Sequence, residues 1–434
     1  MKKLLIKEIF VYAAGNLFFV IANLLLTPFL TRNFSLSQYG AIELIYTSVL
    51  IVAICANLGL DSALLRFYYD QKQEKRALVT STFALSFLST ALFCLCAILF
   101  FNVFKGFIFR TAEELRALLF GLLSVPFIAC LKNQLILLRA QRKVLVFALL
   151  SACYITLTLV LTVLFVKYTS LGISSFFAAT LISQVLVSLA GLIYLRQNFS
   201  WPLMSLGLKG KLLSYSMPLL IPALIGTFLA SINKYFLSSF KDLSAVGIYA
   251  IGVKVSAILS LLGMSFRQAW IPYAFSIMDN AQAGQRYNRV FRLFIVIFFV
   301  LACLVTIFSR QIILLLSSES YLAARLIVGY FCLGVIFANL SGNFFNLGIL
   351  MKKKTAYSSW AYLAGFLVNI ILAFTLVPRY FIVGAALAAL SGYFVTAMLL
   401  LIFSNRVYKI GYDLRLLFGL LGGYLVFLNV WSRF

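Results

Sequence analysis

Long uncharged apolar runs recur along the whole chain. Each is about 18–25 residues, enough to cross a hydrocarbon core about 30 Å thick as a helix. They predict spans near residues 9–30, 41–60, 77–101, 115–138, 144–166, 171–195, 213–236, 245–271, 290–308, 321–347, 357–377 and 380–403. A further run at 414–431 either spans or lies in the interface. The expected fold class is an all-α polytopic membrane protein with twelve core helices and an extra C-terminal helix. The first run is too long for a cleavable signal and the chain continues in the same style. No loop between runs exceeds about 20 residues, which leaves no room for a soluble catalytic domain.

Composition agrees: 63% of the 434 residues are hydrophobic and 11% charged, against about 25% charged in a soluble domain. The formal net charge is +25, and its placement matters more than its size. Twenty-two of the 36 Lys and Arg fall near the N-terminus and around 66–76, 139–143, 196–211, 286–292, 352–354 and 406–415. The alternate loops hold nine. Short cation-rich loops stay in the cytoplasm, so the N-terminus is expected inside. This asymmetry explains the basicity without a nucleic-acid partner. Trp201, Trp270, Trp360 and Trp431 fall at or beside span ends, where interfacial anchors are expected. The chain has no His and seven scattered Cys, all in apolar runs without metal spacing. No metal or other cofactor is expected.

The halves of the chain resemble each other weakly. Leu36-Ser37-Gln38-Tyr39-Gly40 follows the first span and Leu243-Ser244-Ala245-Val246-Gly247 the seventh, 207 residues later. Lys167-Tyr168 with Leu171-Gly172 precedes the sixth span, and Arg379-Tyr380 with Val383-Gly384 the twelfth, at an offset of 212. Six helices bring the chain back to its starting side, so the expected arrangement is a parallel repeat about the membrane normal. The expected lobes are residues 1–200 and 201–404, with 405–434 as the extra helix. The competing explanation is that both turns simply need Gly at a helix start.

Five cations remain inside spans: Lys132, Lys234, Lys254, Arg267 and Arg325. Lys234, Arg267 and Arg325 lie a few residues from a surface, within snorkelling reach. Lys254 is about 13 Å into span eight at 1.5 Å per residue. A central Lys costs about 2.5–3.5 kcal/mol on the insertion scale, so it is expected to face a bundle interior or wet cavity. Lys132 lies about six residues from the cytoplasmic end, beside Asn133 and Gln134. The carboxylates, Glu43 and Asp61 included, fall in loops or at span ends. Buried cations without buried acids favour an anion such as phosphate. Asn339, Asn343 and Asn346 are spaced i, i+4, i+7, and Asn16 and Asn23 i, i+7, each set on one helix face. These amides either meet a sugar or bind helix to helix. Pro28, Pro126, Pro218, Pro222 and Pro272 are expected to interrupt or end spans.

The stretch from Leu30 to Gly40, followed by Asn57-Leu58-Gly59-Leu60 and Arg66, resembles the start of Wzx-type polysaccharide flippases. So does Tyr215-Ser216-Met217-Pro218, with Val246-Gly247-Ile248-Tyr249-Ala250, Lys254 and Ala269-Trp270-Ile271-Pro272 downstream. These flippases belong to the multidrug/oligosaccharidyl-lipid/polysaccharide (MOP) superfamily, and the resemblance covers about residues 1–404. It implies two six-helix lobes facing across a central cavity, with alternating access. It implies transport of a polyprenyl-pyrophosphate-linked oligosaccharide from the cytoplasmic to the outer leaflet of a bacterial inner membrane. The phosphate would meet Lys254, with Lys132, Lys234, Arg267, Arg325, Asn23, Asn339 and Asn343 along the path. Membrane lipids, a polysaccharide polymerase and chain-length proteins are the expected partners. Many relatives carry an acid–base pair where this chain has Asn233-Lys234. Span one lacks the buried charge of lipid II flippases and the Asp of many multidrug relatives. The rival expectations are a cation-coupled multidrug exporter and a membrane enzyme of polysaccharide assembly.

Overall fold

The computed structural model describes residues 26–70, 75–99, 111–200, 206–278, 280, 282–352, 354, 356–408 and 410–431. These residues are almost wholly helical. Residues 26–33 are helical, and the rest of the first predicted span lies outside the described residues. In order follow α1 (Leu36–Ala56), α2 (Leu60–Asp70), α3 (Lys75–Leu99), α4 (Ala112–Ala140), α5 (Val144–Tyr168), α6 (Ser174–Leu195) and α7 (Leu206–Phe240). Then come α8 (Leu243–Ser276), α9 (Ala283–Ile307), α10 (Ser309–Leu316), α11 (Arg325–Leu340), α12 (Leu347–Met351), α13 (Ala356–Val407) and α14 (Leu414–Trp431). Among the described residues, eleven helices are long and apolar enough to cross a membrane. The last, α14, has 18 residues and is about 27 Å long.

Local chemistry sets several boundaries. The Ser35 hydroxyl accepts from Gln38 N–H (3.2 Å) and the Gln38 side chain from Ser35 N–H (3.0 Å), a reciprocal cap that starts α1. Thr111 and Glu114 repeat the device at α4, and the Asp242 carboxylate caps α8 through Ala245 N–H (2.8 Å). Both members of the first repeated motif therefore open a helix. α1 begins earlier and ends earlier than the 41–60 span, and the chain turns through Leu58 and Gly59 at φ 53° and 69°. Gly59 is needed there twice over, for its left-handed backbone and because a Cβ would stand 2.8 Å from the Ser216 carbonyl oxygen. What the pattern placed in a loop after residue 60 is the helix α2. Pro126, Pro218, Pro222 and Pro272 sit inside continuous helices, contrary to the expected interruptions, and Pro28 lies in the helical segment 26–33.

α13 has 52 residues, about 78 Å of helix, more than twice the hydrocarbon thickness. It breaks at Phe381 (φ 48°, ψ −121°) into two arms, which match the predicted eleventh and twelfth spans. The arms fold onto each other where Gly365 and Gly392 meet, since a Cβ on Gly392 would stand 2.8 Å from the Gly365 carbonyl oxygen.

The described residues form two compact units, one reaching to Leu224 and the other starting at Ile225, with the boundary inside α7. In the first, α6 packs on α4 and α5, over a core that includes Leu60, Leu64, Leu78, Leu137, Phe147 and Leu195. In the second, α11 packs on α8, α9 and α13. Its core is aromatic: Phe344 lies 5.4 Å from the rings of Trp270 and Phe291 and 5.0 Å from Phe294. Tyr412 closes it by donating to the Phe344 carbonyl (3.0 Å). Burial pushes that phenol well above its usual pKa, so it stays a donor.

Gly392→Leu is expected to separate the arms of α13 at an overpacking cost of about 1–3 kcal/mol. Thermal unfolding followed by size-exclusion should show a lower Tm than for the same change at Gly226, where a Cβ meets open space.

Candidate functional site

The first unit holds Lys132, on α4. Its ammonium lies 2.9 Å from the Asp61 carboxylate, with side chains 49% and 19% exposed. This corrects the expectation of an intraspan cation without an acid. The turn at Gly59 starts α2 at Leu60, which presents Asp61 to α4. A chain of hydrogen bonds backs the pair. The Asn57 amide donates to Asp61 (3.3 Å) and Ser86 donates to Asn57 (2.6 Å), while the Asn133 amide donates to Ser86 (3.0 Å). Lys132 also lines a cavity of about 270 Å³ with Tyr46, Tyr154, Phe176, Thr180 and Gln184. Gln184 donates to the Tyr154 hydroxyl there (3.3 Å).

Glu43 is a second correction. Because α1 begins at Leu36, Glu43 is about 10 Å inside it, and it is buried with the Tyr39 hydroxyl donating to it at 3.0 Å. The pattern had put this carboxylate at a span end.

The second unit holds the other four candidate cations, Lys234, Lys254, Arg267 and Arg325. Lys254 lies eleven residues along α8, about 17 Å from its start, and is half-buried. Lys234 on α7 is also half-buried, next to the fully buried Asn233. The Asn233 carboxamide faces the buried Tyr249 hydroxyl, and neither of its polar atoms has a hydrogen bond within the protein. Arg267 is exposed. Its guanidinium lies against Gly342, 3.2 Å from where a Cβ would stand. Gly342 belongs to a widened π-turn, Ser341–Phe345, that separates α11 from α12. Such turns recur at functional sites because they free side chains and carbonyls from the α-helical register.

The structure therefore brings Arg267 to the widened turn at Gly342 and sets Asn343 beside Asn339. The Asn343 amide is 3.5 Å from the Asn339 oxygen, and the Trp270 indole donates to the Asn343 carbonyl (2.8 Å). Trp270 is 4% exposed, so it is a core residue and not the expected interfacial anchor. The widened turn also breaks the i, i+4, i+7 amide face: Asn346 leaves the group and accepts from Ser358 at 2.6 Å. The Asn343 oxygen and the Ser341 hydroxyl are buried without a hydrogen-bond partner in the protein. Arg325 stands apart, 4.8 Å over the Trp431 ring. Asn23 lies outside the described residues.

Sequence reasoning missed Asp61 and Ser341 as site neighbours. Asp61 carried a signal, the Asn57-Leu58-Gly59 turn that starts a new helix in front of it. Ser341 carried none, because a π-turn has no compositional mark in this apolar run. Among the described residues, no three His, Cys, Asp or Glu side chains lie together as metal ligands. A guanidinium near two carboxamides and an unpartnered hydroxyl suits an anion bearing hydroxyls.

A family model described as "Polysaccharide biosynthesis protein" matches residues 5–278. No curated protein matches the chain. Solved structures share its fold. The lipid II flippase MurJ in an inward closed conformation aligns with a TM-score of 0.76 at 15% identity, over 98% of this chain and 92% of MurJ. An inward-facing multidrug resistance MATE transporter of the MOP superfamily aligns at 0.69 and 14%, over 91% and 95% of the two chains. A MOP superfamily transporter from Pyrococcus furiosus aligns at 0.66 and 14%, over 93% and 94%. The chain has the fold of this superfamily and is a multi-pass membrane protein.

Asp61→Lys and Lys132→Asp are each expected to destabilise the first unit, and the double exchange to restore it. The coupling for so exposed an ammonium is about 0.5–1 kcal/mol. A double-mutant cycle on thermal stability measures it, and a coupling of zero would show the pair to be incidental.

Proposed function

Because the chain belongs to the polysaccharide biosynthesis protein family, we propose that it is a flippase for polyprenyl-(pyro)phosphate-linked oligosaccharide repeat units. It carries them from the cytoplasmic to the outer leaflet of a bacterial inner membrane, N-terminus inside, for O-antigen, capsule or exopolysaccharide assembly. It makes and breaks no covalent bond. The lobes 1–200 and 201–404 rock about the substrate, with 405–434 as an extra helix beyond the twelve. A polymerase and chain-length proteins take the delivered unit.

One observation carries this reading. α8 bears Lys254 about 17 Å from its start, and Arg267 further on, where its guanidinium meets the widened turn holding Asn343. Phosphate binds the cations and the carboxamides meet sugar hydroxyls, while the polyprenyl tail stays in lipid. Lys234 flanks this path, whereas Arg325, expected on it from the sequence, stands apart over Trp431. Lys132, held by Asp61, joins it once that pair opens. The membrane potential, an ion gradient or product removal supplies the energy.

The buried Glu43 carboxylate favours one part of a second reading, a cation-coupled multidrug exporter, because intramembrane acids serve as proton or cation relays. Export of cationic dyes that is lost in Glu43→Gln would support that reading over the first.

Lys254→Ala is expected to insert at normal levels and to lower surface polysaccharide more than tenfold, with lipid-linked repeat units accumulating inside. Arg267→Gln should act in the same direction with a smaller loss. Both are read by polysaccharide gels and by protection of the lipid-linked sugar from an external glycosidase. Normal surface polysaccharide in Lys254→Ala would refute its role.

A further inference from the structure

Three helix ends converge in the second unit: the last turn of α9 with Thr306, the first residue of α11, Arg325, and the last residue of α14, Trp431. They enclose a pocket of about 250 Å³, also lined by Gly329, Tyr330 and Leu428. Its floor is polar and satisfied. The Tyr424 and Thr306 hydroxyls pair at 2.8 Å, and Tyr424 also donates to the Gly329 carbonyl (3.3 Å). Its wall is polar and not satisfied. The Arg325 guanidinium lies 4.8 Å above the Trp431 ring, and no carboxylate among the described residues forms an ion pair with it. The Trp431 indole N–H is buried without an acceptor in the protein.

The position fixes the kind of ligand. At the opposite ends of α9 and α14, Arg292 pairs with Asp413 at 2.9 Å, so one end of this helix pair carries its own counter-ion and the pocket end does not. A guanidinium and an indole at a span end lie at the depth of lipid phosphates. Stacking on Trp431 leaves the edge N–H groups of Arg325 free to form a bidentate contact with a phosphate.

We infer that the pocket between α9, α11 and α14 binds the phosphate of an anionic phospholipid headgroup, with Arg325 and the Trp431 indole N–H as donors. α14, whose span is only 17% buried, would then be held to the unit partly by lipid.

The test uses the full chain in detergent. It is titrated with dioctanoyl phosphatidylglycerol, with dioctanoylglycerol, which has the same chains and no phosphate, and with inorganic phosphate. The readout is the emission difference between the native chain and Trp431→Phe, with Tm as a second measure. Phosphatidylglycerol is expected to saturate both signals, with affinity about tenfold weaker in Arg325→Gln and intermediate in Arg325→Lys, which keeps the charge but not the fork. Dioctanoylglycerol and inorganic phosphate should give no saturable change. Equal binding by the native chain and Arg325→Gln would overturn the site. A response to dioctanoylglycerol would make it an acyl-chain groove. Saturation by inorganic phosphate alone would make it a site for a free anion and end the lipid assignment. Should Arg325→Gln fail to fold, Arg325→Lys decides: unchanged phosphatidylglycerol affinity there refutes the bidentate contact.

Discussion

Within the hydrocarbon there is no water to complete a hydrogen bond, so each polar group of this chain has to find its partner in the chain itself. Most do so locally. Thr31 donates to the Thr27 carbonyl at 2.9 Å, Thr82 to Leu78 at 2.8 Å and Thr162 to Thr158 at 2.6 Å. Helix starts are closed by Ser35, Thr111 and Asp242. Where neither device reaches, helices share a network, as Asn57, Asp61, Ser86, Asn133 and Lys132 do. Other buried polar groups find no partner in the protein. Asn233, Ser341, Asn343 and Trp431 are among those that keep buried polar atoms without protein partners, and each of these four belongs to, or sits beside, a cation-bearing site.

The cations obey the same constraint in a different way. Several rest their charge on rings: Lys75 lies 4.8 Å from the Tyr68 centroid, Lys143 5.0 Å from Tyr194 and Lys211 5.1 Å from Phe67. Such contacts are worth about 0.5–1 kcal/mol at exposed sites, too little to hold a fold but enough to fix where a long side chain lies. Arg325 on Trp431 uses the same contact in the second unit. Lys132 instead uses an acid, and that difference separates its role from that of Arg267, whose guanidinium lies against the backbone at Gly342.

Backbone irregularities position these side chains. Without the left-handed pair Leu58 and Gly59, α1 would run on and Asp61 would not open α2. Without the π-turn at Ser341–Phe345, Asn339, Asn343 and Asn346 would share one face, and Asn346 would not turn to Ser358. Each irregularity costs little, because side chains nearby complete the freed backbone groups, as Trp270 and Tyr412 do for the carbonyls of Asn343 and Phe344.

The order and approximate limits of the described spans were legible in the sequence, since burial in lipid demands an apolar run of set length. The family was legible in the loosely spaced segments from Leu30 to Gly40 and from Tyr215 to Pro272. The depth of Glu43 was misjudged because a capping box at Ser35 starts the helix among residues that hydropathy assigns to a loop. The partner of Lys132, the burial of Trp270 and the approach of Arg267 to Gly342 were decided only in three dimensions. Apolar patterning specifies that a segment is a helix, but nearly every face of these helices is apolar. Which face turns toward which neighbour is settled by close packing and by the few polar groups that must find each other.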